Sequence, residues 1–464
     1  MTLRGRTSLL VLMMTASVAV SGCSTINRIN PFNRGDEGPQ EIAAEGERVA
    51  IVDLNDKVEV AEGLKGADFF LPTPTPVAEW ALPGGSPEQS IEHAEAAPNL
   101  SIAWRHGFGR GSGKGVHVTA PPVAANGKIY VMDGEATVTA FDAQSGSQVW
   151  RKDLRPDSRR DREAFGGGLA VSGGKLYVTS GYRFVAQVDA ETGQLGWRTA
   201  TESPIHAAPT VAGGRVFAVA VDNTMVTYDA ATGAESWTYQ ALSEPARILA
   251  ASSPAVSGDT VVASFGSGEL VALRAANGND LWNEALSRAS RTNALSEIRD
   301  IPGRPVIYQG DVFAVSHSGV FAATDLRTGQ ARWSLPVTGI TSPWPAGDVV
   351  YVVSKAGEVI CAARESGQVY WIRDLGQGRA KTRGGSWFSM GSKKHEVRPI
   401  WSGPLLASNR LIVAGSTGEL VALNAKTGEV EKTVNLGSST LIAPIAVNGT
   451  IYVATDEAQL IALR

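Results

Sequence analysis

The stretch Pro209-Thr-Val-Ala-Gly-Gly-Arg-Val-Phe-Ala-Val219, followed by Thr227-Tyr-Asp-Ala-Ala-Thr-Gly233 and then Trp237, decides the fold of this 464-residue chain. Related copies return about every 40 to 50 residues from Pro121 to the C-terminus. Each copy contains short β-branched and aromatic runs separated by Gly-Gly, Asn-Gly or Thr-Gly turns, which are typical of strands joined by tight hairpins. Four short strands in a repeat of this length indicate a propeller blade.

Counting the copies predicts the number of blades. Six copies end on a tryptophan that we expect to pack between neighbouring blades: Trp150, Trp197, Trp237, Trp282, Trp333 and Trp371. The seventh carries Lys432 at that position, and the eighth, which starts at Pro444, lacks a fourth strand. Leu100-Ser-Ile-Ala-Trp104 supplies a spare strand before the first copy. We therefore predict an all-β, eight-bladed propeller over residues 99–464, closed by an N-terminal strand that completes the last blade.

The first 22 residues read as a lipoprotein signal peptide. Arg4 and Arg6 precede an apolar run from Leu9 to Val20 that is too short to span a membrane. Val20-Ser-Gly-Cys23 then resembles a lipobox, so Cys23 is the predicted site of lipidation. Because Ser24 replaces the Asp that signals retention in the inner membrane, we expect a protein anchored in the outer membrane that faces the periplasm.

Residues 23–98 differ in composition from the repeats. Between residues 35 and 98 there are fourteen acidic and three basic side chains, and prolines interrupt the second half. This composition predicts a tether, with the part from Phe69 to His93 strapped onto the propeller. Residues 99–464 carry 35 basic and 32 acidic side chains, a balance that argues against a nucleic-acid-binding protein.

We find no catalytic motif in the sequence. The six histidines lack metal-ligand spacing, there is no CxxC or GxSxG motif, and Cys361 reads as a buried small apolar residue. The segment Gly107-Phe-Gly-Arg-Gly-Ser-Gly-Lys-Gly115 lacks the spacing of a phosphate-binding loop and is predicted to be a mobile link. We therefore predict no catalytic residue, no metal site, no cofactor and no enzyme activity.

A basic insertion between residues 373 and 398 interrupts the repeats. Its basic residues outnumber Asp374 and Glu396: they are Arg373, Arg379, Lys381, Arg383, Lys393, Lys394 and Arg398. Long loops between regular elements are often functional or disordered. A binding loop and a solvated loop are both open interpretations of this insertion.

The Ala-x-Thr-Gly-x-x-x-Trp repeat resembles the pyrroloquinoline-quinone-type (PQQ-type) propeller repeat, which occurs in quinone-dependent dehydrogenases and in the BamB family of outer-membrane assembly lipoproteins. Trp104-Arg-His-Gly-Phe-Gly-Arg-Gly-Ser-Gly113 and Ser296-Glu-Ile-Arg-Asp-Ile-Pro-Gly-Arg-Pro305 are similar to BamB segments. The resemblance covers residues 99–464. It implies a scaffold of the complex that inserts outer-membrane β-barrel proteins.

The resemblance also implies two partner-binding loops. They correspond here to Arg247, Ile248 and Leu249 before blade four, and to Arg299 and Asp300 before blade five. The implied partners are the periplasmic domains of a BamA-like central barrel subunit and the other subunits of the complex. Arginine beside aliphatic side chains is also a frequent composition of binding hot spots. A loop whose Ile248 and Leu249 pack into the propeller is the alternative, and Pro302 stands where the family has a second Asp.

Three functions stay open at this point. The first is the scaffold, which could also guide client β-strands by strand addition at blade edges. The second is a PQQ-dependent dehydrogenase-like enzyme, for which a longer chain, a calcium site and a vicinal disulfide would be expected. The third is a cell-envelope polysaccharide-binding propeller, for which the basic insertion is the only support.

Overall fold

The computed structural model describes residues 57–156, 166–243, 252–287, 298–379, 381–383 and 395–464. Cys23, the signal peptide and the first part of the tether lie outside the described residues, as do Arg247, Ile248 and Leu249. A single-turn 3-10 helix spans Glu62–Leu64, and the other regular elements of the described residues are strands. None of the helices in the described ranges has the length and apolarity needed to cross a membrane.

The strands form eight four-stranded antiparallel sheets. β1 (Ile102–Gly107) precedes them in the chain. Blade one contains β2 (Val123–Ala125), β3 (Lys128–Met132), β4 (Thr137–Asp142) and β5 (Gln148–Asp153). Blade two contains β6 (Gly167–Ser172), β7 (Lys175–Ser180), β8 (Phe184–Asp189) and β9 (Leu195–Ala200). Blade three contains β10 (Thr210–Ala212), β11 (Arg215–Val219), β12 (Thr224–Asp229) and β13 (Glu235–Gln240). Blade four contains β14 (Ala255–Ser257), β15 (Thr260–Ser264), β16 (Glu269–Arg274) and β17 (Asp280–Ala285).

The second half of the chain repeats this order. Blade five contains β18 (Val306–Tyr308), β19 (Asp311–Val315), β20 (Phe321–Asp325) and β21 (Ala331–Leu335). Blade six contains β22 (Trp344–Ala346), β23 (Val349–Val353), β24 (Glu358–Ala363) and β25 (Val369–Asp374). A separate ribbon pairs β26 (Lys381–Arg383) with β27 (His395–Val397). Blade seven contains β28 (Trp401–Ala407), β29 (Arg410–Gly415), β30 (Glu419–Asn424) and β31 (Val430–Asn435). Blade eight contains β32 (Ile445–Val447), β33 (Thr450–Ala454) and β34 (Gln459–Leu463).

The last blade is completed by the first strand. β1 pairs antiparallel with β34, so that Ile102 lies opposite Leu463 and Gly107 opposite Gln459. Ser101 and Arg464 extend the pairing by two further backbone hydrogen bonds. The predicted eight-bladed propeller and its closure by an N-terminal strand are confirmed. β1 thus supplies the fourth strand of blade eight and covers the edge of β34 that would otherwise be unpaired.

The repeated tryptophan and glycine contact each other across the blade interfaces. A Cβ on Gly233 would lie 2.4 Å from the Trp197 ring, and Gly233 has a φ of +72°, so only glycine fits this turn. The same pairing closes the ring, because Gly146 of blade one lies against Trp104 of β1. In five blades the indole N–H donates to a backbone carbonyl in the next blade's turn, at Ala190, Ala230, Ala275, Leu326 and Arg364. The predicted packing role of these tryptophans is confirmed.

The exception at Lys432 follows from the closure. The third and fourth strands of blade eight, β34 and β1, come from opposite ends of the propeller, so no Thr-Gly turn joins them. A tryptophan at position 432 would therefore have no such turn to pack on. The Lys432 ammonium instead donates to the backbone carbonyl of Asn99, which precedes β1.

Each blade presents two ends. The turns between the first and second strands and between the third and fourth strands lie at one end, which we call the strap face. The turns between the second and third strands and the connections between blades lie at the other end, which we call the loop face. This assignment follows from the antiparallel order of the four strands in each sheet.

Residues 57–98, which we call the strap, lie against the propeller. The strap forms a hydrogen bond with at least one residue near the innermost strand of every blade. In order from blade one to blade eight, the pairs are Trp80–Ala124, Ala81–Val171, Gln89–Thr210, Pro87–Val256, Glu88–Ile307, Glu92–Trp344, Ala94–Leu406 and Val77–Asn448. An extended chain can bind all eight blades in this way because backbone groups at the inner strand edges are otherwise unpaired.

The glycine-rich segment after β1 differs from the sequence-based expectation of a mobile link. Phe108 is buried, and its N–H donates to the Ala458 carbonyl, while Ser112 donates to the Asp456 carbonyl. A Cβ on Gly109 would lie 2.0 Å from the Asp133 carboxylate, which accepts the Arg110 N–H. The glycines therefore permit close approach of the segment to blades one and eight.

Cys361 is a free thiol inside β24 and is fully buried. Burial raises the pKa of this thiol well above its ordinary value. Its interpretation as a buried small apolar residue is confirmed.

Candidate docking face and central channel

Arg299 and Asp300 lie in the connection between blades four and five, at the loop face. β13 ends at Gln240 and β14 begins at Ala255, and the predicted docking residues Arg247, Ile248 and Leu249 between them lie outside the described residues. Leu242, just before this segment, is 65% exposed. Its N–H donates to the Glu269 carboxylate over 2.9 Å. Leu242 is therefore an exposed leucine whose backbone is fixed beside the predicted docking segment, and the repeat pattern did not single it out.

Glu269 anchors this part of the loop face. It is buried, and it accepts hydrogen bonds from Ser267, Asn283 and the Leu242 N–H. Burial alone would raise the pKa of the Glu269 carboxyl, but these three donors outweigh burial and lower it. Glu269 is therefore an ionised structural anchor for the segment that leads to Arg247.

Arg299 and Asp300 have different environments. Arg299 is exposed, and its backbone packs against Gly268 in blade four. Asp300 is only 1% exposed, and its backbone carbonyl accepts the His317 N–H. Direct contact between the Asp300 carboxylate and a partner stays a prediction. In this conformation Asp300 is buried and its backbone fixes the loop through His317. Arg299 is the residue of the pair that faces solvent.

Several basic residues of the insertion are already engaged within the chain. Arg373 donates to the Gly428 carbonyl over 2.7 Å, and Arg379 donates to Glu419 over 3.1 Å. Arg398 lies 3.5 Å from the Asp374 carboxylate. These contacts join the ends of the insertion to blades six and seven, and they leave fewer free charges there for a polyanion. Residues 384–394 of the insertion lie outside the described residues.

The strap closes the central channel from the strap face. Trp80 is 1% exposed, and it exchanges two backbone hydrogen bonds of 2.8 Å with Ala124. Gln89 reaches Thr210 and the Pro254 carbonyl with its amide nitrogen and accepts the Gly84 N–H. Gly84 and Gly85 have no room for a Cβ, because it would lie 2.4 Å from the Gln89 backbone and 2.1 Å from Ile91 respectively. These residues form a buried turn inside the ring.

Above this turn the channel contains a cavity of ≈ 370 Å³ that is lined partly by the connections between blades. Among the described residues, no group of three or more His, Cys, Asp or Glu side chains is arranged to hold a metal ion. The cavity lining includes Arg304 and His206 but no acidic side chain. The arrangement therefore provides a mainly apolar channel with one arginine in its lining at the loop face, and a strap face occupied by the chain's own strap.

The fold and these two faces define an eight-bladed propeller of the PQQ-repeat class. A family model described as "Outer membrane protein assembly factor BamB" matches residues 89–161, 134–373 and 381–464. The chain therefore belongs to the BamB family. Its glycine, tryptophan and loop motifs were sufficient to predict this membership.

Individual relatives are distant in sequence but similar over most of their length. The outer membrane protein assembly factor BamB of Moranella endobia is 23% identical over 365 residues, which is 78% of this chain and 89% of the relative. The crystal structure of BamB from Moraxella catarrhalis matches with a TM-score of 0.62 and 18% identity, covering 79% of this chain and 99% of that one. A quinohemoprotein alcohol dehydrogenase from Comamonas testosteroni matches with a TM-score of 0.64 and 15% identity, covering 84% of this chain and 81% of that one. At such identities the structural matches show the fold alone.

Proposed function

We propose that this chain is a non-enzymatic scaffold lipoprotein of the complex that assembles outer-membrane β-barrel proteins. The observation that carries this proposal is the match of the BamB family model, whose three segments extend from residue 89 to residue 464. The match therefore includes strands of all eight blades and leaves out only residues 374–380, at the connection between blades six and seven. A dehydrogenase-like activity has only fold similarity in its favour.

We propose the loop face as the docking surface for the periplasmic domains of a BamA-like central subunit. The innermost strand edges at the strap face are occupied by the chain's own strap. At the loop face, exposed Leu242 and Arg299 flank the predicted contribution of Arg247, Ile248 and Leu249. An exposed cation beside aliphatic side chains provides both an orienting charge and an apolar anchor. Asp300 acts in this proposal by holding the Arg299 loop.

Lipidation of Cys23 would anchor the protein in the outer membrane. The chain between Cys23 and the strap has 33 residues, residues 24–56. This segment would link the lipid anchor to the propeller on the periplasmic side of the membrane, where a central barrel subunit would present its soluble domains.

Client β-strands could be guided at the outer edges of the blades. The fourth strands β9, β13 and β17 alternate between exposed and half-buried residues, so their outer edges face solvent. Strand addition there would use unpaired backbone groups. Site-specific crosslinkers in β13 should capture nascent barrel proteins, and consistent failure to capture any client would remove this part of the proposal.

Affinity capture from solubilised envelopes tests the docking proposal. We expect wild type to recover a β-barrel subunit with periplasmic domains, and an Arg247→Ala, Arg299→Ala double variant to recover much less of it. Arg274→Ala is the matched control, because Arg274 is an exposed arginine of blade four at the strap face. Equal recovery by the double variant and wild type would refute the loop-face site. Failure of wild type to recover any barrel subunit would refute the assembly function itself.

A further inference from the structure

The cavity in the central channel has the features of a ligand site that the scaffold role does not use. Its volume of ≈ 370 Å³ lies within the range of small-molecule sites. The strap contributes Trp80, Pro83 and Gln89 to the lining, and the connections between blades contribute most of the remainder. The site is therefore complete only when the strap is docked.

The charged side chains in the cavity lining are of one sign, positive. Among the described residues that line the cavity, Arg304 carries the one permanent charge, and there is no aspartate or glutamate. The hydroxyl groups of Ser253, Thr341 and Ser342 also belong to the lining. A cationic group surrounded by neutral hydrogen-bonding side chains favours a negatively charged ligand.

Arg304 is fixed in place, but its guanidinium has no acidic partner in the described part of the chain. The backbone N–H of Arg304 donates to the Ser342 hydroxyl over 2.8 Å. The preceding Gly303 packs so closely that a Cβ would lie 2.5 Å from the Thr341 carbonyl. The Nε atom is buried without a hydrogen-bond partner. Burial alone lowers the pKa of Arg304 to about 10, with no opposing effect from a neighbouring carboxylate.

Arg304 is half-buried, and a charge held away from bulk water without a partner is costly for a folded protein. Arg304 nevertheless stays protonated at neutral pH, because its lowered pKa is still well above 7. An anion that entered the channel would recover the lost electrostatic stabilisation. The guanidinium fork is also suited to two parallel hydrogen bonds with a carboxylate or phosphate group.

We propose that the central channel binds a small organic anion whose carboxylate or phosphate group pairs with Arg304. The stacked indole rings of Trp80 and Trp344, with centroids 6.2 Å apart and planes inclined by 24°, form an apolar part of the same cavity. They would contact the carbon skeleton of the ligand. The position of Trp80 also couples the site to the strap.

Anion titration of the purified full-length chain tests this proposal. The probes are citrate, succinate, glycerol 3-phosphate and inorganic phosphate, added at constant ionic strength. Binding is followed by calorimetry and by intrinsic fluorescence, to which all eleven tryptophans of the chain contribute. We expect at least one probe to bind wild type with a millimolar or tighter Kd. The carboxylate and phosphate probes distinguish the two ligand chemistries.

Substitutions of Arg304 test the location. Arg304→Gln should weaken binding of the best probe by at least about tenfold, because a charge-assisted pair is lost. Arg304→Lys should retain part of the affinity, since it keeps the charge but loses the fork. Arg274→Gln is the control, because Arg274 pairs with Asp259 on the surface. Thermal melts establish whether each variant is folded. If Arg304→Gln does not fold, the affinity of Arg304→Lys decides the test.

Two outcomes would overturn the proposal. One is that none of the four probes binds wild type in the millimolar range. The other is that folded Arg304 variants bind the best probe as tightly as wild type and Arg274→Gln do. Neither outcome would affect the docking proposal, which is measured by recovery of a barrel subunit and depends on other residues.

Discussion

The two faces of this propeller are built on opposite principles. At the strap face, the strap hydrogen-bonds to all eight blades and buries Trp80 in the channel. At the loop face, Leu242 and Arg299 are exposed, and the cavity is lined by Arg304, which has no acidic partner in the described part of the chain. We infer that the strap face serves stability, because its polar groups are already paired within the chain, and that the loop face serves recognition. Substitutions at the strap face should therefore affect folding, and substitutions at the loop face should affect binding.

The largest effect is expected at Trp80. Trp80→Ala should lower the free energy of unfolding by about 3–5 kcal/mol, because it removes a fully buried aromatic side chain from the channel. Phe70→Ala is the control in the same strap, since Phe70 is 62% exposed, and it should change stability by less than about 0.5 kcal/mol. Urea unfolding measures both. Similar losses for the two variants would show that burial of the strap does not stabilise the ring.

A smaller effect is expected at the Thr-Gly turns of the strap face. Gly233→Ala should destabilise by about 1–3 kcal/mol more than Gly214→Ala, because overpacking adds to backbone strain. The two glycines have φ values of +72° and +73°, but a Cβ would contact Trp197 only at Gly233. Thermal unfolding of both variants isolates the packing contribution. Equal losses would mean that the contact with tryptophan is not tight.

The strap should also make stability depend on pH through His93. Its Nδ1–H donates to the Pro72 carbonyl, and its Nε2 accepts the Asn409 N–H. Burial lowers the pKa of His93 below its ordinary value of 6.5 and outweighs the opposing effect of the Pro72 carbonyl. The unfolded chain therefore binds a proton more readily, so stability is present above pH 6.5 and is lost as the pH falls towards the folded pKa.

This dependence can be assigned by substitution. Between pH 7.5 and pH 5.5, wild type should lose more stability than His93→Gln, because only wild type carries the histidine whose pKa is lowered by folding. His106→Gln, which changes an exposed histidine in β1, should behave like wild type. Urea midpoints at the two pH values provide the measurement. A wild-type slope that persists in His93→Gln would assign the pH dependence to another group.

The smallest effect on stability is expected at the loop face. Arg299→Ala should leave the free energy of unfolding within about 0.5 kcal/mol of wild type, because the side chain is exposed. The same variant should reduce capture of a barrel subunit. A strong loss of stability in Arg299→Ala would contradict the assignment of this loop-face residue to recognition and not to stability.

Sequence reasoning was strongest where the chain repeats itself. The Gly-Trp pairs and the hairpin turns are local patterns that recur in most blades, so the blade number and the closing strand could be predicted. The sequence shows Lys432 as an exception, but only the three-dimensional structure explains why no tryptophan is needed at this position. It stands beside the one blade whose last two strands are not connected by a turn.

The non-repeating parts were harder to interpret. The contacts of the strap join residues far apart in sequence through backbone groups, so its composition gave little indication of which blades it would reach. Glycines 107–115 suggested mobility, whereas Gly109 and Gly111 are needed for close packing. Asp300 and Arg299 are adjacent in sequence, yet one side chain is buried and the other is exposed. No sequence pattern indicated Arg304. It stands out only because no Asp or Glu belongs to the cavity lining among the described residues.

The pairing of β1 with β34 determines when this protein can finish folding. During synthesis, the strap and β1 emerge first, but their partners include Leu406, Asn448 and the whole of β34. These segments are among the last to leave the ribosome, so the ring can be sealed only after translation of the propeller is nearly complete. Until then blade eight and the inner edges remain open to other strands.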